Sequence, residues 1–573
     1  MNQQSVAEYR LVPPAVAIWA ITVAVVWLRL QQYTWLAISI VGVLSIAVVA
    51  VILYLQFGLG QACLTAGTAI TGLVLTAFRR FQAEHVHIPT VFEAVVEHRI
   101  RSISRGTIFD IHTSFSPAPL TVFSHDHLSL SPGTTILLEA TTRESDRMAV
   151  AAQLLIAKNV TVRADPDAAA SLTTALKSSF VALAQQTFDP DAAAVIPAMV
   201  LGETHGYSQY LAESFMISGL AHLSAVSGAN VALVAASTLG ILRWAPRKVR
   251  LGVTTLAIVC FGYVVGPEAS VIRAVIMGSI GIAALGVHTR SYAMHSLCLS
   301  MIGMLIWDSE LAFSIGFWLS VTATTGIILL SPRLYHRWAS PSMPRMVVLP
   351  LAVTVAATLA TAPIVAAFSH RVSLVSIVAN MLVEPLVAPI TCIGLLACVL
   401  LAGSLLTGWS VFVDLAAGLL YLLGPCARVI VKVATTAASF PGAQLYWDSP
   451  ALVWAVILGL AWLLYGFSQQ LHGVVGVAGI SVMIALSASW YLQRPIHYTP
   501  EEILHVRDDA HLQQWIAAGI PTHIHAVVVH EHGKPHQYPQ WLDTGIPLLY
   551  PNRDGIVDVY TNGQQYARLG YFQ

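Results

Sequence analysis

Apolar residues run along this chain in long uninterrupted stretches, without the charged face that a water-soluble helix or strand would carry. Residues 31–78 contain no Asp, Glu, Lys or Arg, and neither do 346–370, 386–413 or 449–493. A membrane-crossing helix needs about 20 apolar residues. The stretches 31–78 and 449–493 are long enough for two crossings each, the others for one each. The pattern predicts three crossings near 12–30, 33–55 and 58–78. Ten more are expected near 212–241, 250–266, 269–287, 292–307, 311–331, 346–368, 373–403, 409–430, 451–467 and 472–491. The segment 373–403 reads as one helix or as two short or broken ones. The opening MNQQSVAEYR lacks the basic stretch and small-residue cleavage site of a secretory signal, so the first apolar segment reads as retained.

Between Arg80 and Ala168 the pattern changes. Short alternating runs appear, such as Val91–Glu97 and Thr134–Glu139, separated by turn signals at Ser131-Pro132-Gly133 and Ser116-Pro117-Ala118-Pro119. Period-two alternation with such breaks predicts a small antiparallel sheet or barrel of about five strands, inserted as a soluble domain. A helical connector follows near 168–188. The expected fold class is a polytopic α-helical membrane protein with an inserted small all-β domain and a short α/β C-terminal tail. The divisions are 1–79, three N-terminal transmembrane helices; 80–168, the β domain; 169–494, the larger membrane block; and 495–573, the tail.

Composition removes the soluble alternative. Of 573 residues 56% are hydrophobic and 10% charged, where an ordinary soluble domain carries about 25% charged residues. The 29 basic and 29 acidic side chains cancel, so net charge names no anionic partner. All six cysteines (Cys63, Cys260, Cys298, Cys392, Cys398, Cys426) fall in apolar segments. That is the habit of buried free thiols and argues against a disulfide or zinc–thiolate scaffold.

Basic loops suggest an orientation. Arg243, Arg247, Lys248 and Arg250 cluster in one loop; Arg333, Arg337 and Arg345 cluster in another. The positive-inside bias puts both in the cytoplasm. One crossing separates the first loop from the β domain, which then lies outside, with the N-terminus inside.

The densest polar chemistry in an apolar setting is Gly219–Val234, GLAHLSAVSGANVALV. His222, Ser224, Ser227, Gly228 and Asn230 fall within it. On one helix Ser224, Ser227 and Asn230 would share a side, with His222 about 80° away. Polar groups at membrane depth face a bundle interior or a wet cavity. A break at Ser227-Gly228 would let irregular backbone line such a cavity. Helix packing through small residues is the plainer alternative. A Ser–His nucleophile pair has no carboxylate orienter nearby, so no catalytic residue is assigned. In SVIRAVIM, Ser270 and Arg273 sit near the end of a span, where Arg273 either snorkels outward or lines an interior path. Gly316, Phe317 and Ser320 (GFWLS), Pro363 (TAP), and Asn380 with Glu384 and Pro385 bring Gly, Pro and polar groups into later spans.

The tail contains eight histidines, and His530, His532 and His536 lie in VVVHEHGKPH. Imidazoles suit zinc, but Lys534 and Pro535 stand where a hydrolytic site would want an aspartate. These histidines are weak metal candidates beside the reading that they are solvated or packed. No metal or other cofactor is otherwise suggested. In 80–165 the basic and acidic side chains nearly balance, although Arg99, Arg101 and Arg105 cluster. Charge alone does not suggest nucleic acid here; if the β domain meets one, those three are the candidate contacts.

GLAHLSAVSGANVALV resembles the signature of the ComEC-type competence proteins, inner-membrane channels for DNA uptake. Leu201-Gly202-Glu203, SVIRAVIM, GFWLS, TAP and the Asn380…Pro385 segment follow that family's order, so the likeness extends over about 80–440. The resemblance implies an OB-like extracytoplasmic barrel and passage of single-stranded DNA across the bacterial cytoplasmic membrane during transformation. It implies membrane lipid, a competence DNA receptor and a cytoplasmic motor ATPase as partners, and it allows a homo-oligomer. The chain itself has no GxxxxGK[ST] phosphate loop. Two departures stand out. Full-length members end in a metallo-β-lactamase-like domain with an HxHxDH loop, whereas this tail reads as a truncated or degenerate remnant. At Ala229-Asn230 the family more often has a bulky residue and His. The alternatives are a membrane-bound metal-dependent hydrolase using the tail histidines, or a small-solute transporter or non-competence relative.

Overall fold

The computed structural model describes residues 9–446 and 498–567, apart from 87, 104–105, 117, 127, 129, 145–148, 151–152, 288–291, 341–343, 370, 441–442, 500–501, 519, 522, 532–539, 543–545, 555–556 and 560–564. The spans expected at 451–467 and 472–491 lie outside the described residues. Contacts divide the chain into two compact units. Met1–Gly206, His222–Ile364 and Asn380–Ile430 form the first; Tyr207–Ala221, Val365–Ala379 and Val431–Gln573 form the second.

The first unit opens with α1 (Val12–Leu30), α2 (Trp35–Phe57) and α3 (Leu59–His85). All three are long and apolar enough to cross a membrane. Thr34 caps α2 by accepting a hydrogen bond from the Ala37 amide. Arg29 and Arg80 both pair with Glu84, at 2.9 and 3.0 Å. Neutralisation of this kind is what keeps such charges tolerable near a bilayer.

The chain then forms a closed five-stranded barrel: β1 (Val91–Ile103), β2 (Gly106–His112), β3 (Leu120–Ser124), β4 (Thr135–Glu144) and β5 (Gln153–Ala164), ordered β1-β2-β3-β5-β4. Neighbours pair antiparallel except β3 and β5, which run parallel. Alternate residues fill the core, among them Phe109, Ile111, Val122, Ile136, Leu138 and Leu155. Gly106 has φ +142°, and a Cβ there would lie 1.9 Å from the Ser124 carbonyl oxygen, so only glycine fits this strand start. The barrel is fastened to the helices beneath it. Val26 of α1 joins its core. Arg80 donates to the carbonyls of Ala149 and Val150, while the Val150 amide donates to Glu310.

Helices α4 (Ala168–Thr187) and α5 (Pro190–Leu201) lead on, each capped by an aspartate, Asp167 and Asp189. Residues Ala192–Leu201 are all buried. At 12 residues, α5 is about 18 Å long, too short to cross. Then come α6 (Gln209–Ile217), α7 (Gly228–Ile241), α8 (Arg247–Val265), α9 (Ala269–Gly286), α10 (Ala293–Trp307), α11 (Ile315–Trp338), α12 (Arg345–Ser369), α13 (Ser376–Thr407), α14 (Val411–Tyr421) and α15 (Gly424–Ala438). Helix α1 packs back onto this later block. Ala15 and Ile18 share a core with α9, α10 and Phe317, and the Trp19 and Trp318 indoles both donate to the Ala312 carbonyl.

Among the described residues eight helices are long and apolar enough to cross a membrane, or nine if the bent pair α14–α15 is one span. The chain is thus a mostly helical, multi-pass membrane protein with a small β domain. Four expected spans turn out differently in detail. The one near 292–307 is α10, a 15-residue apolar helix shorter than a full crossing. The span expected at 212–241 is broken into α6, a 3₁₀ turn at Ala221–Leu223, and α7. Of the readings of 373–403, the single helix holds: α13 runs unbroken for 32 residues through Pro385 and Pro389. Apolar surroundings penalise any further loss of backbone hydrogen bonds, so the helix continues past each proline. The span near 409–430 bends by 43° between α14 and α15, where Pro425, having no N–H, cannot bond the Tyr421 carbonyl that ends α14.

In the second unit, Gly219 takes φ +72°, and a Cβ there would meet Ser376 Cβ at 2.4 Å. Strands β6 (Arg371–Ser373) and β7 (Gln444–Tyr446) pair antiparallel. The tail adds β8 (Ile503–Val506), α16 (Asp509–Ala518), β9 (Ala526–Val529), β10 (Gln540–Trp541) and β11 (Pro547–Leu549). Their order is β10-β11-β9-β8, with β8, β9 and β11 parallel. Strands β12 (Val557–Val559) and β13 (Gln565–Ala567) pair antiparallel.

Candidate functional site

The broken segment between α6 and α7 organises the polar groups of the membrane block. The left-handed Gly219 ends α6, and its successor Leu220 donates back to the Phe215 carbonyl. His222 follows in the 3₁₀ turn, exposed, and Ser224 is half-buried beyond it; each has an interacting neighbour. Ser227 is the N-cap residue of α7, with no side-chain capping bond, and Gly228 begins the helix. Ser224 therefore does not share a helical face with Ser227 and Asn230.

Asn230 is buried, 4% exposed, and holds two other elements. Its Nδ2 donates to the Met199 carbonyl at 3.0 Å, and its Oδ1 accepts from Thr391 Oγ1 at 3.4 Å. Met199 is in the last turn of α5, where carbonyls lack helical partners. These two bonds tie α5, α7 and α13 together through a side chain that the sequence marks as a pathway candidate.

Arg273 is the chemically unusual member. It is 7% exposed, so it does not snorkel. Its Nε donates to Ser320 Oγ at 2.8 Å and its Nη1 to Thr324 Oγ1 at 2.6 Å, with Met277 Sδ at 3.5 Å. Among the described residues these bonds run to neutral groups and none to a carboxylate. Ser270, one turn earlier on the same face of α9, donates to the Val226 carbonyl at 3.0 Å and so ties α9 to the break. A Cβ on Gly228 would lie 3.6 Å from Arg273 Nη2. The structure therefore gathers the break at Val226–Gly228, Ser270, Arg273 and Ser320 around one guanidinium. Phe317 is wholly buried one turn before Ser320 and packs edge-on against Trp19. Gly316 is exposed, Pro363 is half-buried within α12, and Asn380 is half-buried in the first turns of α13. No described contact brings Gly316, Pro363 or Asn380 to Arg273.

Sequence reasoning missed Thr324 and Thr391. Thr324 lies four residues after Ser320, so the helical period of GFWLS pointed to it; Thr391 carried no comparable signal. It named Glu203 within Leu201-Gly202-Glu203 but not its partners, Lys177 of α4 and His205 of the loop after α5. Lys177 Nζ lies 2.8 Å from Glu203 and donates to the Val265 carbonyl, while His205 Nδ1 lies 3.4 Å from Glu203. Burial would raise the Glu203 carboxyl, but the His205 hydrogen bond and Lys177 outweigh it and hold it at about 2. The His205 imidazole is raised by its bond to Glu203, against burial, and a bond to the Ile100 carbonyl of the barrel adds to the rise.

In the barrel, Arg99 and Arg101 lie on β1; Arg105 lies outside the described residues. In the tail, His505 Nδ1 and His530 Nε2 are 3.0 Å apart in stacked rings. His532 and His536 lie outside the described residues. Among the described residues no three His, Cys, Asp or Glu side chains group as a metal set.

Residues 199–471 match the model of the family described as Competence protein. The chain is 25% identical over 218 residues to ComE operon protein 3 of Bacillus subtilis (strain 168), covering 37% of this chain and 26% of that protein. It is 26% identical over 229 residues to the uncharacterized protein YcaI of Escherichia coli (strain K12), covering 38% of this chain and 30% of the relative. The chain thus spans under a third of the length of the curated relatives it matches. No solved structure matches. The helix break, the Arg273 cage and the Asn230 contacts all fall inside the segment that matches the Competence protein model.

Proposed function

We propose that this protein passes single-stranded DNA across the cytoplasmic membrane during natural transformation. The segment that matches the Competence protein model supports a role in DNA uptake. The observation that carries the finer reading is Arg273. A buried guanidinium held by hydroxyls and a thioether keeps its positive charge uncompensated, which is costly unless an anion visits. A strand of phosphodiesters supplies one anion per nucleotide, and arginine suits phosphate oxygens. The irregular backbone at Val226–Gly228 gives a moving backbone polar surroundings where a continuous apolar helix would give none.

The barrel would receive the strand on the outer side. Its order β1-β2-β3-β5-β4 with β3 and β5 parallel supports an OB-like assignment, a barrel type that binds single strands. Arg99, Arg101 and Arg105 are its candidate phosphate contacts, and His222, Ser224, Ser227, Asn230, Ser270, Gly316, Phe317, Ser320, Pro363 and Asn380 remain pathway candidates beside Arg273. A competence DNA receptor would deliver the strand and a cytoplasmic motor ATPase would draw it in, with a homo-oligomer as one possible arrangement.

The test is transformation of a competent host whose own copy is replaced by variants of this chain. A charge-assisted hydrogen bond is worth about 1.5–3 kcal/mol. Arg273→Ala should therefore lower uptake about 10- to 100-fold at equal membrane abundance. Arg273→Lys keeps charge but loses the fork and should fall between. Undiminished uptake by Arg273→Ala sinks this reading.

A further inference from the structure

One acidic side chain in the membrane block has no part in the Arg273 cage. Glu384 is the sole charged residue of α13. Its Oε2 accepts a hydrogen bond from Thr354 Oγ1 of α12 at 3.1 Å. Helix α12 fixes the depth of that contact. It runs over 25 residues from Arg345 to Ser369, with its middle at Ala357 and Thr354 three residues earlier. At about 1.5 Å of rise per residue, Thr354 lies within about 5 Å of the helix centre. No Asp, Glu, Lys or Arg occurs in 346–370. The carboxyl therefore lies alongside the apolar middle of α12, on an exposed face of α13 and about 12 Å along that helix from its start.

No basic side chain compensates it among the described residues. Helix α7, bound to α13 through Asn230 and Thr391, carries no charge. Helix α5, on which Gly394 packs through Val200, carries only Asp191, in its first turn. Arg273 on α9 is committed to Ser320 and Thr324. The local backbone offers acceptors instead. Pro385 and Pro389 have no N–H, so the helical partners of the Met381 and Pro385 carbonyls are missing. Thr354 can turn its hydroxyl either way, donating to a carboxylate or accepting from a carboxyl O–H.

We infer that Glu384 is a proton-carrying site within the membrane, a carboxyl that takes up one proton and releases it as α12 and α13 shift. The step is a proton transfer only: one O–H bond forms on the carboxylate and later breaks, with no electron transfer. Intramembrane carboxyls without a cation mark proton relays and pathways. Joined to the proposed transport, on which this coupling rests, the site would let proton movement bias strand movement.

Dicyclohexylcarbodiimide is the probe, because it partitions into apolar sites and reacts with protonated carboxyls. The acid O–H adds across one C=N bond, proton to nitrogen and oxygen to carbon. The acyl group then migrates to nitrogen as a stable N-acylurea, with nothing lost. The full chain in lipid vesicles should gain this adduct on the peptide holding Glu384, and Glu384→Gln should gain none. A water-soluble carbodiimide should leave Glu384 unlabelled. Absence of the adduct, or labelling by the water-soluble reagent alone, overturns the proton site. In the uptake assay Glu384→Gln should fall at least tenfold while Glu384→Asp retains activity. Uptake by Glu384→Gln equal to the parent overturns the coupling. Labelling at Glu384 in a parent chain that supports no uptake would sink the transport reading and leave the proton site standing.

Discussion

At the scale of the residue, the two polar side chains of the motif region do different work. Asn230 satisfies the Met199 carbonyl and the Thr391 hydroxyl inside the bundle. Asn230→Ala should lower stability by about 1–3 kcal/mol, the cost of a buried acceptor left without a donor, read as a lower Tm in detergent. Asn230→Asp keeps the size, loses the donor, and should be no better. The loop group beside α5 gives a pH dependence. His205 is raised above its ordinary 6.5, so its contribution is complete below about 6.5 and fades as pH rises through its folded-state value. Glu203 is lowered from 4.5 to about 2, so its contribution is complete above about 4.5 and fades as pH falls toward 2. Hydrogen-exchange protection across 202–206, taken relative to the unstructured-chain rate at each pH, should be greatest between about pH 4.5 and 6.5, and His205→Phe should flatten the high-pH side. Arg273 was legible from sequence because charge within an apolar run is rare. Its cage was only half legible: GFWLS pointed to Ser320, but the thioether of Met277 and the choice of interior over surface depend on how α9 and α11 meet.

At the scale of the element, the informative feature is where helices stop. Polar density in 219–234 made a break readable, and the left-handed Gly219 supplies it. Gly219→Ala must adopt a disfavoured backbone, at about 1–2 kcal/mol, and also displace Ser376, 2.4 Å from the new Cβ. It should lower Tm and membrane yield more than Gly240→Ala on α7, where a Cβ meets nothing within 4 Å. The prolines of α13 misled in the other direction. Rules for proline come from water, where a freed carbonyl finds solvent; in a bilayer the helix continues because stopping exposes more backbone. The strands were readable from alternation, but the parallel β3–β5 pair that closes the barrel was not, since pairing between distant strands leaves no local signature.

At the scale of the whole molecule, the barrel is fastened rather than tethered. Val150 is held at both ends of its backbone, by Glu310 at the amide and Arg80 at the carbonyl. Arg29 still neutralises Glu84 when Arg80 is gone, so Arg80→Ala should cost about 3 kcal/mol, the low end for breaking a buried pair. Limited proteolysis should then cut beside Ala149 and Val150 first, before any helix-connecting loop. The sequence made the class of protein plain, since scarce charge and long apolar runs admit few alternatives. It did not reveal that α1 packs among α9–α11, because apolar faces in a membrane do not specify their neighbours.

That packing sets a timetable for assembly. The Trp19 indole and the Ala312 carbonyl it binds are 293 residues apart in the chain. At ribosomal rates of about 5–20 residues per second, α1 waits roughly 15–60 s in the bilayer before its partner is made. During that interval α3 is its available neighbour, through Gly72, where a Cβ would lie 2.8 Å from Ile18. Helices α1 and α3 thus form the first seat of the molecule, and the later block is built onto it.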